Sequence, residues 1–591
     1  MSEAESEREV EESGGTGENE RASAREASAP TPAGRRLAHL RGWRTRHPGP
    51  ARALRQGTTV LGAALVLGAL LMPDTLPALT AYSFLKIPAE AVAGAVVLLA
   101  LPRRPRLAAA VLYGLGLTVL TALNLLDMGF NEYLGRGFNA ALDWDLLPDA
   151  QAYVGDTLGS GVATAAAVGA VVLVLLVAAV MVAACVRLAG VLARHRGRAT
   201  KGALLAGTVW VTCSALGLTL SGGPIASERG AGALRVHAQR TVESLRDEAA
   251  FAKEARADTF GATPPDQLLT DLRGKDVVFA FIESYGRSAI EDPVMAPGVG
   301  RTLDASTRAL EKAGYAARSG WLTSATYGGS SWLGHSTTMS GLWIDNQRRY
   351  RTVTAGDHLT LTKAFRKTGA WDTVGVMPGV RKGWPEEKWY GLDRVYDAFD
   401  LGYRGPKFSW STMPDQYALE AFQRRVHGVE RDRPLMSFVI LTSSHQPWAP
   451  IPKTVGWDEL GDGSVFDAIQ KSGNEPADII TDTTRSREEY GKSIQYSVTS
   501  LTQWLQRYGT DDTVLVFLGD HQPIARVSGV RASRDVPVSI VAKDPKVLDR
   551  IAGWHWTEGL RPGRDAPVWR MSSFRDRFLT AYGSTPHPST G

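Results

Sequence analysis

The chain of 591 residues is 44% hydrophobic and 21% charged, which excludes both a wholly disordered chain and a pure membrane bundle. Its 66 Lys and Arg residues nearly balance its 61 Asp and Glu residues, and a net charge of +5 is too small to indicate a nucleic-acid-binding protein. The two cysteines, Cys185 and Cys213, lie in apolar stretches, which excludes a disulfide scaffold and a cysteine-based zinc site.

The first 56 residues contain few large apolar side chains. The segment is rich in Glu as far as Glu26 and rich in Arg from Arg35 to Arg55. Such a segment buries too little apolar surface to offset the entropy lost on ordering, so residues 1–56 are predicted to form a disordered tail. The tail is too long and too acidic before the first apolar run to be a signal peptide.

Five apolar segments follow, and we predict that each spans a membrane. A spanning helix needs about 20 residues, so the second segment is short and the fourth is comfortably long. Five such runs in one half of a chain are rarely needed by a soluble fold. The segments lie at 57–73, 87–102, 107–130, 161–186 and 203–221.

The charges that flank these segments predict their orientation. Arg-rich stretches precede the first segment and separate the second from the third and the fourth from the fifth, whereas the loop 131–160 is acidic. Because positive loops stay in the cytoplasm, we expect a cytoplasmic N-terminus. We therefore expect a multi-pass protein of the cell membrane, with residues 57–222 as its membrane domain. Because five is an odd number of spans, everything after about residue 222 is expected on the outer side of the membrane.

The segment 223–275 is predicted to link the membrane domain to the rest of the chain. Within it, residues 233–257 mix charged side chains with Ala and Leu at helical spacing. This pattern fits a juxtamembrane helix, and a charged spacer is the alternative.

Short apolar runs alternate with helix-like stretches from Asp276 onwards. Near-continuous apolar strands separated by helices are typical of an α/β domain with a largely parallel central sheet. We therefore predict an extracytoplasmic α/β domain over 276–585. The predicted strands are 277–282, 371–377, 435–441, 513–518 and 536–542, and the helix-like stretches include 358–368 and 486–508.

Polar side chains follow three of these strands. Glu283 follows the first strand, His445 follows the strand 435–441, and Asp520 and His521 follow the strand 513–518. Ligands of such sheets bind beyond the carboxyl ends of the strands, so these residues are expected at one edge. Carboxylate oxygens together with imidazole suit a divalent cation such as Mn²⁺ or Zn²⁺.

A fourth element is the run Gly328-Gly329-Ser330-Ser331, from which a helix is predicted to begin. A serine at this position can simply cap the helix. It can also act as a nucleophile towards a phosphate, whose charge is favoured by the exposed amides of a helix N-terminus. His335, in the same helix, is interpreted as a packing residue.

The order of these motifs resembles the lipoteichoic acid synthase type of phosphoglycerol transferase, within the alkaline phosphatase and sulfatase superfamily. The resemblance covers roughly 57–580, and its most specific pieces are 282–284 (IES) and 519–521 (GDH). It implies five N-terminal spans and an extracytoplasmic sulfatase-like catalytic domain. It also implies one divalent ion, Mn²⁺ before Zn²⁺, Mg²⁺ or Ca²⁺, whose ligands are Glu283, Ser330, Asp520 and His521.

The same resemblance implies roles in catalysis and substrate binding. Ser330 takes the place of the family's nucleophilic Thr, with the adjacent Ser331 as the alternative, and His445 contacts the substrate. The segment 377–384 lacks the histidine that the synthases have there, so Trp384 and Arg381 are the candidates for binding the head group.

The expected activity is transfer of a phosphoglycerol-type group from a membrane phospholipid donor to an envelope glycan or polymer, through a covalent phosphoserine. One alternative is a hydrolase of the same fold, a phosphodiesterase or a sulfuric ester hydrolase. No C/S-x-P-x-R signature of formylglycine sulfatases is present, and both cysteines lie in predicted spans. The other alternative is a non-enzymatic envelope protein with a decayed site.

Overall fold

The computed structural model describes residues 45–220, 223–381, 383–529 and 531–584, and these form a helical N-terminal half followed by an α/β C-terminal half. Residues 1–44 of the predicted tail lie outside the described residues. Among the described residues, a long helix starts at Pro48, so residues 48–56 are helical, in contrast to the prediction of disorder. Proline suits the first turn of a helix, and the Arg-rich turns that follow continue directly into the apolar run.

Helices of eight or more residues are numbered here in chain order. They are α1 Pro48–Leu71, α2 Ala89–Ala100, α3 Arg103–Leu134, α4 Leu147–Leu158, α5 Ser160–Arg194, α6 Arg196–Ala215, α7 Arg229–Glu254, α8 Ala296–Lys312, α9 Ser331–Ser340, α10 Gln347–Thr354, α11 Leu361–Thr368, α12 Asp415–Phe422, α13 Thr483–Tyr508 and α14 Phe574–Tyr582. Shorter helices connect them at Ser288–Glu291, Glu387–Tyr390, Asp467–Lys471, Pro476–Ile480, Ala525–Ser528 and Pro545–Asp549.

Three of the helices in the described part of the chain, α1, α3 and α5, are long and apolar enough to cross a membrane. The predicted second span corresponds to α2, which has only 12 residues. The predicted fifth span corresponds to α6, whose first turns carry Arg196, Arg198 and Lys201 and which ends at Ala215. The apolar part of α6 is therefore shorter than the roughly 20 residues of a usual span.

The C-terminal half is built on one nine-stranded sheet. Its strands are β1 Asp276–Ile282, β2 Ala316–Thr323, β3 Asp372–Met377, β4 Arg394–Asp397, β5 Leu435–Leu441, β6 Thr513–Gly519, β7 Asp535–Ala542, β8 Thr557–Glu558 and β9 Val568–Arg570. All five predicted strands are present, as β1, β3, β5, β6 and β7, and sequence analysis missed the other four.

The sheet is mostly parallel, in the order β8-β2-β7-β6-β1-β5-β3-β4, with β9 beside β2. Strands β6, β1, β5, β3 and β4 pair in parallel, and β2 and β9 run in the same direction. Strand β7 is antiparallel to both β6 and β2, so it starts at the edge where its neighbours end. Strands β1, β2, β5 and β6 all end at this edge, so the residues that follow them lie there.

Both faces of the sheet are buried, which explains the continuous apolar runs of its strands. Along β1, Val277, Phe279 and Phe281 belong to one core cluster, whereas the intervening Val278 and Ala280 belong to the other. Helices cover both faces. The polar residues that end these strands are thus held by two packed layers.

The two halves of the chain are in contact. Helix α7, which spans most of the predicted juxtamembrane helix, is tied to α10 by the ion pair between Asp247 and Arg349, 2.5 Å apart. At the end of α3, the carbonyl oxygen of Tyr133 lies against Gly328, in the loop before α9. A long helix of the N-terminal half therefore ends on the segment that carries the two candidate serines.

Candidate active site

Glu283 is fixed by the sharp turn that follows β1. Ser284 has a left-handed backbone, with φ 56°, and its N–H donates to Asp520 Oδ1 at 2.7 Å. Ser444 Oγ donates to the Glu283 carbonyl oxygen at 2.5 Å, and Tyr490 Oη donates to the Ser284 carbonyl oxygen at 2.7 Å. These bonds hold the Glu283 carboxylate, only 3% exposed, at the edge of the sheet.

Asp520 and His521 follow β6, the parallel neighbour of β1. The His521 ring donates from Nδ1 to the Gln522 carbonyl oxygen at 2.7 Å, which turns Nε2 towards Glu283 Oε1, 3.2 Å away. Candidate ligand atoms of Glu283, Asp520 and His521 all lie within 4.8 Å of one another. The structure thus brings three of the predicted metal ligands together.

The hydroxyl that completes this group is that of Ser331. Ser331 Oγ donates to Glu283 Oε2 at 2.8 Å and lies 3.1 Å from His521 Nε2. Ser330 has a left-handed backbone, with φ 61°, and its side chain lines a neighbouring cavity without a hydrogen bond to any described residue. The geometry therefore favours Ser331, the sequence alternative, as the reactive serine.

Helix α9 approaches the metal-ligand group closely because of Gly334. A Cβ atom at this position would lie 2.7 Å from the Asp520 carbonyl oxygen, which is closer than real side chains come. The glycine allows the first turn of α9 to rest on the strand end, and this sets the position of Ser331.

The donor set fits a divalent ion. The Asp520 side chain is fully buried, and none of the described residues donates a hydrogen bond to its Oδ2. The neighbouring His335 Nε2 lies 3.4 Å away without hydrogen-bond geometry. A buried carboxylate oxygen without a partner is costly, and a cation bound among two carboxylates, an imidazole and a hydroxyl would satisfy it.

The charges of the site favour an ion pair when no cation is bound. Burial alone would raise the pKa of Glu283, but the hydrogen bond and charge of His521 lower it well below its usual value. Burial would lower the pKa of His521, but the Asp520 and Glu283 carboxylates raise it to about 9. His521 must therefore lose a proton before it can bind a metal ion through Nε2.

His445 lies beside this group, in the loop that follows β5. Its Nδ1 donates to the Gln446 carbonyl oxygen at 2.6 Å, and its ring stacks on Trp410, with centroids 3.9 Å apart and planes 14° apart. Burial lowers the pKa of His445, which outweighs the opposite effect of the Glu283 charge. The ring is thus neutral at neutral pH, with an unprotonated Nε2.

Two residues that position His445, Trp410 and Asp415, are not apparent from the sequence. Trp410 lies in a loop without a recognisable motif, and Asp415 lies at the start of α12. Asp415 Oδ1 accepts hydrogen bonds from the backbone N–H groups of Thr442 and Ser443, at 2.8 and 2.9 Å. Neither contact could be found from sequence, because each joins elements about 30 residues apart.

Trp384, Arg381 and His335 form no hydrogen bond with the metal-ligand group. Trp384 stacks on Tyr390, with centroids 4.9 Å apart, and packs against one of the sheet's core clusters. Arg381 is exposed and forms no ion pair with a described residue. The His335 ring packs against the rings of Phe281 and Phe438, in agreement with the packing role predicted from the sequence.

Comparisons with known proteins gave likenesses to solved structures only, since no family model and no curated protein matches the chain. The lipoteichoic acid synthase LtaP from Listeria monocytogenes is 14% identical, with a TM-score of 0.35 over 57% of this chain and 79% of that chain. A protein in the alkaline phosphatase superfamily from Vibrio parahaemolyticus is 14% identical, with a TM-score of 0.35 over 57% of this chain and 75% of that chain. The Streptococcus pyogenes phosphoglycerol transferase GacH in complex with sn-glycerol-1-phosphate is 12% identical, with a TM-score of 0.35 over 57% and 82%. At such low identity and score, these likenesses assign no role to the site residues.

Proposed function

We propose that the protein is a membrane-anchored, metal-dependent phosphoryl-group transferase that acts on a phospholipid head group through a covalent phosphoserine at Ser331. The observation that carries this proposal is the position of Ser331 Oγ, within hydrogen-bond distance of both Glu283 and His521. A serine held against candidate metal ligands at a helix N-terminus suits attack on an anionic phosphodiester.

The cation would be held by Glu283, Asp520, His521 and the Ser331 hydroxyl, with Mn²⁺ as the first candidate. Bound there, it would supply positive charge that lowers the pKa of the serine hydroxyl and screens the phosphoryl oxygens. The protein's own contribution is to hold the hydroxyl rigidly, through the packing of α9 on Asp520.

The reaction proceeds in two displacements at phosphorus. In the first, a bond forms between Ser331 Oγ and phosphorus, the bond to the diacylglycerol oxygen breaks, and the serine proton passes overall to the leaving oxygen. In the second, a hydroxyl of the acceptor forms a bond to phosphorus and the bond to Ser331 Oγ breaks. The acceptor's proton returns to Ser331, so the enzyme is regenerated.

His445 carries the proton in the second displacement. Its unprotonated Nε2 is available because Nδ1 donates to the Gln446 carbonyl oxygen. A neutral imidazole can accept the proton of the acceptor hydroxyl and then deliver it to the departing Ser331 oxygen. Trp410 and Asp415 keep the ring in place.

The donor is a membrane phospholipid and the acceptor an envelope glycan or polymer. We place the reaction outside a cell membrane crossed five times, with a cytoplasmic N-terminus and an extracytoplasmic domain over 276–585. The three long apolar helices and the Arg-rich segments support this arrangement. A topology reporter fused after residue 240 should be active only on the outer side of the membrane.

The function is tested with the full-length protein, Mn²⁺ and phosphatidylglycerol labelled in both its acyl and its glycerol parts. We expect metal-dependent release of diacylglycerol and appearance of the label on Ser331 by mass spectrometry. The Ser331→Ala variant, with folding checked independently, should release none. Release of glycerol phosphate into water alone, whatever acceptor is added, would identify a hydrolase instead. Absence of any release with every divalent ion would refute the proposal.

A further inference from the structure

A small cavity adjoins the candidate active site on the side of Ser330. Its volume is about 120 Å³, and its lining includes Leu134 and Arg136 from the N-terminal half and Tyr327, Ser330 and Arg534 from the α/β half. A site needs far less volume than this to hold one water, so the cavity has room for a tetrahedral oxyanion.

The cavity shares part of its wall with a larger crevice between the two halves of the chain. The second space, of about 340 Å³, shares Arg136, Leu142, Asp345 and Asn346 with the first and extends along α7. The wall of the small cavity includes Leu134, the last residue of α3, so the cavity lies between the reactive serine and a helix long and apolar enough to span a membrane.

Three of the four charged groups in the small cavity already have partners. Arg136 forms two hydrogen bonds with the Asp143 carboxylate, at 2.6 and 2.7 Å. Asp345 accepts hydrogen bonds from Trp343 Nε1 at 3.2 Å and from Asn346 Nδ2 at 2.8 Å. The pair of Arg136 and Asp143 is neutral, and Asp345 forms an ion pair with Arg349, 3.8 Å apart, so neither carboxylate is in an ion pair with the fourth group.

The fourth group is the Arg534 guanidinium. Arg534 directly precedes β7, and its carbonyl oxygen accepts from the Ser324 N–H at 2.9 Å, which fixes it at the active-site edge of the sheet. Its side chain donates to the Ala325 carbonyl oxygen at 3.1 Å and forms no ion pair with a carboxylate of the described residues. Burial lowers the pKa of Arg534, and the opposing effect of the Asp345 charge is too small to reverse this shift.

We propose that this cavity is an anion-binding subsite, in which Arg534 receives the phosphate of a phospholipid head group before it reaches Ser331. A half-buried guanidinium with free donors matches the geometry of a phosphate oxyanion. The shared chemistry is a phosphate anion, and the membrane helix in the wall favours the lipid as its source. The choice of lipid rests on the proposed function, whereas the anion subsite does not.

The test uses full-length Ser331→Ala protein in detergent with EDTA, so that neither turnover nor a metal ion contributes to binding. Dihexanoyl phosphatidylglycerol is titrated by calorimetry, and inorganic phosphate is titrated in parallel. We expect the lipid to bind more tightly than phosphate, and adding Arg534→Gln to weaken lipid binding at least tenfold. Arg531→Gln, an exposed arginine in the same loop, is the matched control and should bind as the parent does.

Folding of each variant is checked by thermal unfolding, and Arg534→Lys is measured alongside because it keeps a charge and a donor for the Ala325 carbonyl. Equal affinity in the Arg534→Gln variant and its parent would overturn the subsite, as would failure of the parent to bind either probe. Equal affinity for lipid and phosphate would overturn the lipid source. Arg534-dependent binding without any lipid turnover by the wild type would refute the proposed function and leave the subsite standing.

Discussion

The carbonyl oxygen of Tyr133, at the end of α3, fills the space that a side chain at Gly328 would occupy. A Cβ atom at Gly328 would lie 1.8 Å from this oxygen, and the glycine has φ 71°. The loop that leads to Ser331 is therefore shaped by direct contact with a helix of the N-terminal half. Only a glycine permits both the backbone conformation and the approach.

Replacing Gly328 with Ala should disturb this contact and lower both stability and turnover. The left-handed backbone alone disfavours Ala by about 1–2 kcal/mol, and overpacking adds about 1–3 kcal/mol. The matched control is Gly369→Ala, since Gly369 has φ 69° with nothing within 4 Å of its Cβ position. Thermal unfolding and turnover are measured for both. Equal losses in the two variants would show that the Tyr133 contact is unimportant.

Replacing Ser331 with Ala should abolish turnover, with a loss of several powers of ten, because the change removes a covalent nucleophile. Ser331→Thr keeps a hydroxyl and should retain measurable activity. Ser330→Ala should lose less than tenfold, since its hydroxyl has no partner among the described residues. The measurement is release of diacylglycerol by each folded variant. An inactive Ser330→Ala with a normal Ser331→Ala would place the nucleophile one residue earlier.

Metal binding should release about one proton at pH 7.5. The pKa of His521 is raised to about 9, so the ring is protonated at this pH and must lose its proton to bind the ion. Affinity should rise with pH up to about 9, by roughly tenfold per unit. Calorimetry of Mn²⁺ binding in two buffers of different ionisation enthalpy measures the release directly. Identical enthalpies in the two buffers would contradict the expectation.

Turnover at saturating metal should be flat around neutral pH and fall in acid. The active form of His445 is neutral, and its pKa is lowered from 6.5, so protonation begins only below that pH. His445→Gln should reduce turnover by about 10²–10⁴-fold and remove this acid limb. Comparing the pH profiles of the wild type and the variant separates the effect of His445 protonation on turnover from that of the metal ligands. An unchanged acid limb in the variant would assign it to another group.

The contact of Asp258 with the α/β half should stabilise the protein above about pH 4 and fail in stronger acid. Burial alone would raise the pKa of Asp258, but the charges of Arg575 and His358 hold it below its usual value. A lowered folded-state pKa means that stability is present above the unfolded pKa and is lost as pH falls through the folded pKa.

Asp258→Asn should therefore lower stability at pH 7 by about 1.5–3 kcal/mol, the range for hydrogen bonds to charged groups. It should also flatten the dependence of stability on acid pH. Asp549→Asn, at an exposed carboxylate, is the control. Denaturant unfolding at pH 7 and pH 4 measures both effects, and parallel curves for wild type and Asp258→Asn would disprove the linkage.

The sequence predicted the strands that are buried on both faces, since their residues are almost all apolar. Strand β2 was missed because Arg318, Ser319 and Gly320 interrupt its apolar pattern, although it lies inside the sheet. The short strands β4, β8 and β9 have too few residues to show a period. Their pairing depends on neighbours distant in the chain.

For the site, the sequence located residues that directly follow apolar strands, because parallel strands end at one edge. It could not decide between Ser330 and Ser331, since adjacent residues point about 100° apart at a helix start and the register depends on the loop before it. Arg534 could not be identified from the sequence, because the absence of an ion pair between it and a described carboxylate is a property of the folded cavity alone.

Helix α3 has 32 residues and is therefore about 48 Å long, about 18 Å more than the hydrocarbon core of a bilayer. Its far end meets Gly328 without an intervening flexible segment. In the proposed arrangement, the helix is a rigid spacer that fixes the distance between Ser331 and the hydrocarbon core of the bilayer. Phosphates at the lipid–water boundary would come within reach, whereas diffusing phosphodiesters would gain nothing from the anchor.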